Sequence, residues 1–217
     1  MLGGQGAPLV PIGDSLLFAE YDACLNLGGF SNISFQENNV RKAFDISPCN
    51  GILNALANQL DLPYDEGGKL ASMGKCNEEF LSQLNELDYY KNSSPKSLGK
   101  EWVNQHISPL VAAYDLSVND FLATFTEHIS FQISNVLNTI STSKNLVTGG
   151  GAHNVFLIKK IQEKTKSKLI IPDLKLVDYK EALIFAFLGV LRFTQQNNVL
   201  KEVTGAERSN MGGALFG

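Results

Sequence analysis

Residues 23–45, ACLNLGGFSNISFQENNVRKAFD, decide the fold. Three short segments rich in apolar and β-branched residues, ACLNLGG, SNISF and NVRKAFD, are separated by Gly28-Gly29 and by QENN. Both separators are turn signals, so the stretch reads as a three-strand antiparallel meander. Cys49–Leu60 then places Ile52, Leu53, Leu56 and Leu60 at helical spacing, and LPYDEGG ends that helix.

Working outward, Asp14–Tyr21 reads as a short helix or turn, and the chain ahead of it is the glycine-rich GGQGAP. Beyond the meander, a helix is expected over Asn77–Leu87, followed by YYKNSSPKSLGKEW, whose Ser, Lys and Gly content reads as a long exposed loop. Val118–Ser141 carries the clearest helical pattern, with Phe121, Leu122, Phe125, Ile129, Ile133, Val136 and Ile140 stepping by three or four behind Ser117 and Asn119 as capping oxygens. The last third alternates: strand NLVTGG, helix Asn154–Lys166, strand KLIIP, helix Glu181–Gln196. Crossovers of this kind build a parallel extension of the sheet. Meander, helix, then strand-helix-strand-helix is the order of an α/β, ribonuclease-H-like domain of the actin-like ATPases. Two regions follow: residues 1–22 as a cleft loop with the remnant of a preceding domain, and 23–217 as the domain itself, with a helical insertion at about 61–117.

Composition narrows the chemistry. With 44% hydrophobic and 18% charged residues the chain is that of an ordinary globular protein. A net charge of −4 without a Lys/Arg cluster disfavours nucleic acid or an anionic membrane as partner. Cys24, Cys49 and Cys76 are odd in number and never reach CxxC spacing, which points away from a disulfide framework or zinc knuckle and towards a reducing cytoplasm. No secretory signal and no membrane-length apolar run is visible in the sequence.

Four glycine turns, GGQGAP, NLGGFSN, TGGGAHN and VTGA, are the candidate ligand loops, because glycine lets backbone approach a ligand and leaves N–H groups to face phosphate oxygens. Each alone is equally a simple turn. NLGGFSN between two strands and TGGGAHN between a strand and a helix converge in this fold, and a helix N-terminus suits a nucleotide phosphate. No GK[ST] of a Walker loop is present. Asp45 is a candidate acid whose alternative is a cap or turn former. Lys96 is a candidate point charge for phosphate whose alternative is a solvated loop lysine. Asn154 is placed to cap a helix, His153 reads as surface, and His106 and His128 have no metal-ligand spacing.

The motifs GGQGAPLVP, LNLGGFSNIS, FDISPCN, SPKSLGKEWVN, LVTGGGAHN and VTGA, in that order, resemble the C-terminal portion of the anhydro-N-acetylmuramic acid kinases from Gly3 to about Gly213. The resemblance implies an ATP- and Mg2+-dependent sugar kinase that phosphorylates the 6-oxygen of 1,6-anhydro-N-acetylmuramate while water opens the anhydro ring, a step in cell-wall recycling. It assigns Asn26, Gly28, Gly29 and Asn32 to a phosphate-binding turn and Gly149, Gly150, Gly151 and Asn154 to the nucleotide side. Gly4, Gln5, Gly6 and Asp45 fall to the sugar. Two departures accompany it. The family's GTSxDG loop does not occur in these residues and its catalytic aspartate is expected upstream of Met1, while FDISPCN stands where the family shows FDTGPGN, with Ile46, Ser47 and Cys49 replacing a threonine and two glycines.

Two further readings belong beside this one: a noncatalytic nucleotide-binding or regulatory module of the same fold, and another sugar kinase such as an N-acetylhexosamine kinase, against which GGQGAPLVP speaks. A domain lacking its other half is expected to expose apolar surface and self-associate.

Overall fold

The computed structural model describes residues 2–216. The meander is present: β1 (Ala23–Leu27), β2 (Phe30–Glu37) and β3 (Val40–Pro48) pair antiparallel. The β2–β3 connection is Asn38-Asn39, both at positive φ (50° and 61°), as a two-residue hairpin turn requires. β4 (Lys144–Thr148) pairs parallel with β1, and β5 (Lys168–Ile170) parallel with β4, giving the order β3-β2-β1-β4-β5. This is the ribonuclease-H-like arrangement expected from the element order.

The helices are α1 (Val10–Leu17), α2 (Asn50–Ala57), α3 (Lys69–Met73), α4 (Glu78–Asn85), α5 (Asp88–Lys91), α6 (Lys100–Trp102) and α7 (Ser108–Ala112), with a π turn at Val103–Ile107 between the last two. Then follow α8 (Val118–Thr139), α9 (Val155–Lys164), α10 (Leu174–Phe193) and α11 (Lys201–Thr204). Alternation along β1 explains how they are arranged. Ala23, Leu25 and Leu27 face a core shared with α2, α8 and α9, while Cys24 faces a second cluster with Ile12 and Phe18 on one side and Ile184, Leu188 and Leu191 of α10 on the other. A sheet covered on both faces needs apolar residues at every position, and ACL-L supplies them.

α8 is the central pillar. Ser117 Oγ accepts from Asp120 N at its start, and Phe125, Ile129, Ile133 and Leu137 are fully buried along it. Each such side chain contributes about 1.5–3 kcal/mol of burial. α4 packs onto the same helix: Phe80 is 0% exposed and its ring lies edge-on to Phe121 and Phe125 at 5.6 and 5.5 Å.

Three boundaries differ from the sequence reading. α10 begins at Leu174 rather than Glu181, because Asp173 after Pro172 caps it through Oδ1 to Leu176 N at 3.1 Å. The helix near the N-terminus spans Val10–Leu17 rather than Asp14–Tyr21, with a proline in its first turn. YYKNSSPKSLGKEW is not one exposed loop: Tyr89 is buried on α5, and Tyr89, Tyr90 and Trp102 pack on one another. Its aromatic residues outweigh its polar composition.

His128 is a satisfied core histidine. It is 1% exposed, Nδ1–H donates to Asn85 Oδ1 at 2.7 Å and Nε2 accepts from Tyr90 OH at 2.8 Å. Burial pushes its pKa from the ordinary 6.5 down to about 3. The unfolded chain therefore binds the extra proton first, so the stabilising contribution of neutral His128 is fully present above pH 6.5 and is lost as pH falls towards 3. In urea titrations across that range, His128→Gln is expected to flatten the acid-side loss of stability; an unchanged slope would contradict this account.

Candidate functional site

The face of the sheet that carries Cys24 also carries a row of polar residues. Asn26 pairs with Asn32 across β1–β2, Asn32 pairs with Asp45 across β2–β3, and Thr148 of β4 continues the row beside Asn26. Asn26, Asn32 and Asp45 line a cavity of about 560 Å3 between the sheet, the N-terminal loop, α1, the start of α10 and the segment Pro95–Ser97. Gln5 lines it as well; Gly4 and Gly6 do not.

Asp45 does not cap α2. Its Oδ2 accepts Leu98 N at 2.8 Å, its N–H donates to Lys96 O at 3.2 Å, and its carbonyl accepts Tyr89 OH at 2.6 Å. Burial raises its pKa above the usual carboxylate value, and the Leu98 N–H opposes part of that rise. Residues 95–98 thus lie along β3 as a strap. Lys96 is half-buried rather than solvated: Nζ lies 4.6 Å from the Tyr89 ring centroid, 5.8 Å from that of Phe44, and donates to Tyr89 O at 3.2 Å.

The departures in FDISPCN point away from the cavity. A register shift leaves Ile46 between the pairs Ser31–Ser47 and Asn32–Asp45, and Ile46 is buried in the core at 2% exposure. Ser47 Oγ shares a 3.0 Å hydrogen bond with Ser31 Oγ, and Cys49 is fully buried.

The two glycine turns meet at the carboxyl end of β1. Gly29 O accepts from Cys49 N at 2.9 Å and Gly51 N at 3.1 Å, and Gly28 O accepts from Asn50 N at 3.0 Å. The turn satisfies the N-terminus of α2, whose amides are therefore committed. Asn50 Nδ2 donates to Leu27 O at 2.8 Å. Gly149, at φ +84°, has no room for a side chain: a Cβ would stand 2.6 Å from Asn26 Oδ1 and 2.9 Å from Leu27 O. A Cβ on Gly151 would stand 2.6 Å from Leu27 Cβ, and Gly150 begins a short 3-10 turn. Asn154 is the cap of α9, accepting Leu157 N at 2.9 Å, and His153 is at the surface, bonded to Asp178 at 2.7 Å. GGQGAP is pinned to VTGA by Gln5 N to Thr204 O at 2.8 Å.

One cluster escaped sequence reasoning. Lys180 Nζ donates to Asp14 Oδ1 at 2.8 Å, Ser34 Oγ donates to Asp14 Oδ2, and the Arg41 guanidinium donates to Ser34 Oγ at 2.7 Å. All four residues are buried, and Asp14, Ser34 and Lys180 line the cavity. The signal was a lysine on the apolar stripe Val177, Ile184, Leu188, Leu191 of α10, where an ammonium must find a partner.

The fold is thus ribonuclease-H-like, with two glycine turns at the end of β1 and a polar cavity on one face of the sheet. The family model for anhydro-N-acetylmuramic acid kinase matches residues 1–217. The chain belongs to that family. Among curated relatives it is 32% identical to the anhydro-N-acetylmuramic acid kinase of Hydrogenovibrio crunogenus, over 98% of this chain and 61% of that protein. It is 34% identical to that of Pseudomonas syringae pv. tomato, over 99% and 62% respectively. The chain therefore spans about three fifths of the length of these relatives. A solved activator of the 2-hydroxyisocaproyl-CoA dehydratase from Clostridium difficile, with bound ADPNP, aligns at 17% identity over 84% of this chain and 65% of that one, with a TM-score of 0.49.

Lys180→Ala is expected to cost about 3–5 kcal/mol, because it strips a buried carboxylate of its nearest cation. Asp14→Asn combined with Lys180→Met is expected to lose less than the two single changes together, as urea titration of the three variants will measure.

Proposed function

We propose that this chain supplies the C-terminal part of an ATP-dependent kinase for 1,6-anhydro-N-acetylmuramate in a cytoplasmic cell-wall recycling step. The observation that carries this reading is the polar row Asn26, Asn32 and Asp45 lining the cavity while the paired glycine turns stand at the end of the same strands. In the proposed reaction, water adds to the anomeric carbon as its bond to the bridging oxygen breaks. That oxygen, now O6, takes the γ-phosphoryl group, leaving N-acetylmuramate 6-phosphate and ADP.

The roles follow from placement. Asn26 and Asn32, which the resemblance gave to a phosphate-binding turn, line the same cavity as Asp45 and are assigned instead to sugar hydroxyl or acetamido groups, while Asp45, with one oxygen held by Leu98 N–H, accepts from a hydroxyl through the other. Gly149–Gly151 let the backbone approach a nucleotide; the tight fit of Gly149 against Asn26 and Leu27 supports a loop held rigid for that purpose. Gln5 closes the sugar side. Among the described residues no group of three or more His, Cys, Asp or Glu side chains converges on a metal position. Mg2+ commonly uses one or two carboxylates plus substrate phosphates, so the ion is expected to arrive with the nucleotide. The aspartate that activates water is assigned to the part of the family that this chain does not span.

A thermal melt with Mg-ATP, followed by coupled ADP release with the anhydro-sugar, tests the reading. Stabilisation by Mg-ATP without turnover by the 217-residue chain alone is expected. Turnover by this chain alone would place the base among its own residues, and absence of any ATP-dependent shift would remove the nucleotide assignment. Stabilisation that persists without turnover once the remaining part of the family protein is supplied would favour a noncatalytic module.

Among the described residues no helix is long and apolar enough to cross a membrane. The outer side of α10 exposes Leu174, Tyr179, Leu183 and Phe193. We assign this surface to self-association. In sedimentation, the average mass is expected to rise with concentration, and a constant monomer mass would refute it.

A further inference from the structure

We infer that Lys96 is the receptor for the carboxylate of the sugar acid, and so sets the preference for an acidic over a neutral anhydro-sugar. The inference rests on the sugar-kinase reading above and asks what that reading leaves open: which group recognises the acid. Two lysines line the cavity. Lys180 is spoken for, with Nζ 2.8 Å from Asp14 Oδ1. Lys96 has no carboxylate within 4.0 Å among the described residues; its one hydrogen bond is to the neutral carbonyl of Tyr89, and aromatic rings flank it.

A half-buried ammonium without a counter-ion is an unfavourable arrangement that an anionic ligand would relieve. Burial accordingly holds its pKa below the ordinary lysine value. The rings of Tyr89 and Phe44 and the backbone bond from Asp45 N to Lys96 O fix where the ammonium sits, so little side-chain freedom remains to be lost on binding. Position selects the carboxylate over phosphate. Lys96 stands against β3, whereas the Gly149–Gly151 loop follows β4, three strand spacings away in the order β3-β2-β1-β4, or roughly 14 Å. The ammonium is thus at the sugar end of the cavity, remote from the loop assigned to the nucleotide.

Calorimetry on the purified protein and on Lys96→Met, Lys96→Gln and Lys96→Arg tests this with four ligands. They are 1,6-anhydro-N-acetylmuramic acid, its lactyl methyl ester, 1,6-anhydro-N-acetylglucosamine, which lacks the lactyl group, and a non-hydrolysable ATP analogue. The protein is expected to bind the acid about tenfold to a hundredfold more tightly than the ester or the neutral sugar. Lys96→Met should abolish that preference and Lys96→Arg should keep part of it, with affinity for the ATP analogue unchanged. An equal preference in Lys96→Met overturns the proposal, as does weakening confined to the ATP analogue, which would give Lys96 to phosphate. Should Lys96→Met melt early, Lys96→Gln, which retains a donor for Tyr89 O, carries the same comparison. Equal affinity of the unaltered protein for acid and ester overturns the proposal without any variant. Failure of the unaltered protein to bind any of the three sugars sinks the sugar-kinase reading, and this inference with it.

Discussion

The close approach of Gly149 and Gly151 to the carboxyl end of β1 is the constraint on which the site depends. Leu27 is fully buried, its carbonyl is taken by Asn50, and its Cβ faces Gly151 with no space for another carbon between them. One strand end therefore fixes three things at once: the β1–β2 turn, the start of α2 through the carbonyls of Gly28 and Gly29, and the loop leaving β4. A side chain at Gly149 would meet Asn26 in the polar row before it met solvent. Loop geometry and cavity geometry are coupled through that single contact.

The cavity wall is also held together electrostatically. The cavity floor holds a lysine, a carboxylate and a serine in mutual contact with an arginine behind them, all withdrawn from water. Removing Lys180 or Asp14 leaves the other buried charge without its nearest counter-ion, so the network depends above all on that pair. It ties α1 to α10 and to β2 and β3. The same four elements carry cavity-lining residues or their immediate neighbours, so the wall is stiff where Asn32 and Asp45 project from it.

Much of this was legible in the sequence because turn chemistry and alternation are local. Gly28-Gly29 and QENN mark turns, ACLNL marks a strand buried on both faces, and the α8 pattern holds from Phe121 to Ile133, after which Leu137 is buried while the expected Val136 and Ile140 are only half-buried. Asn26 and Asn32, expected on the phosphate side, and Asp45, expected on the sugar side, stand in one row through the strand register, which the separate motifs did not reveal. What was not legible depended on contacts distant in sequence. Lys96 looked like a surface lysine because its neighbours are Ser, Pro and Gly, and only the packing of Tyr89 brings it against β3. Asp14 and Lys180 are 166 positions apart, and neither announces the other. Asn154 looked equally suited to nucleotide or cap, and its carboxamide oxygen is committed to Leu157 N–H.

The strap at residues 95–98 has a consequence for the molecule as a solute. β3 is an outermost strand, and an uncovered outer strand offers a row of free amides to any other chain with an extended segment. Lys96 O occupies the Asp45 N–H, and Leu98 N–H is turned inward to the Asp45 carboxylate. The opposite margin, β5, is only three residues long. Both borders of the sheet are thereby poor templates for strand addition, and on one border the segment that discourages aggregation is the same one that holds Asp45 and Lys96 at the cavity.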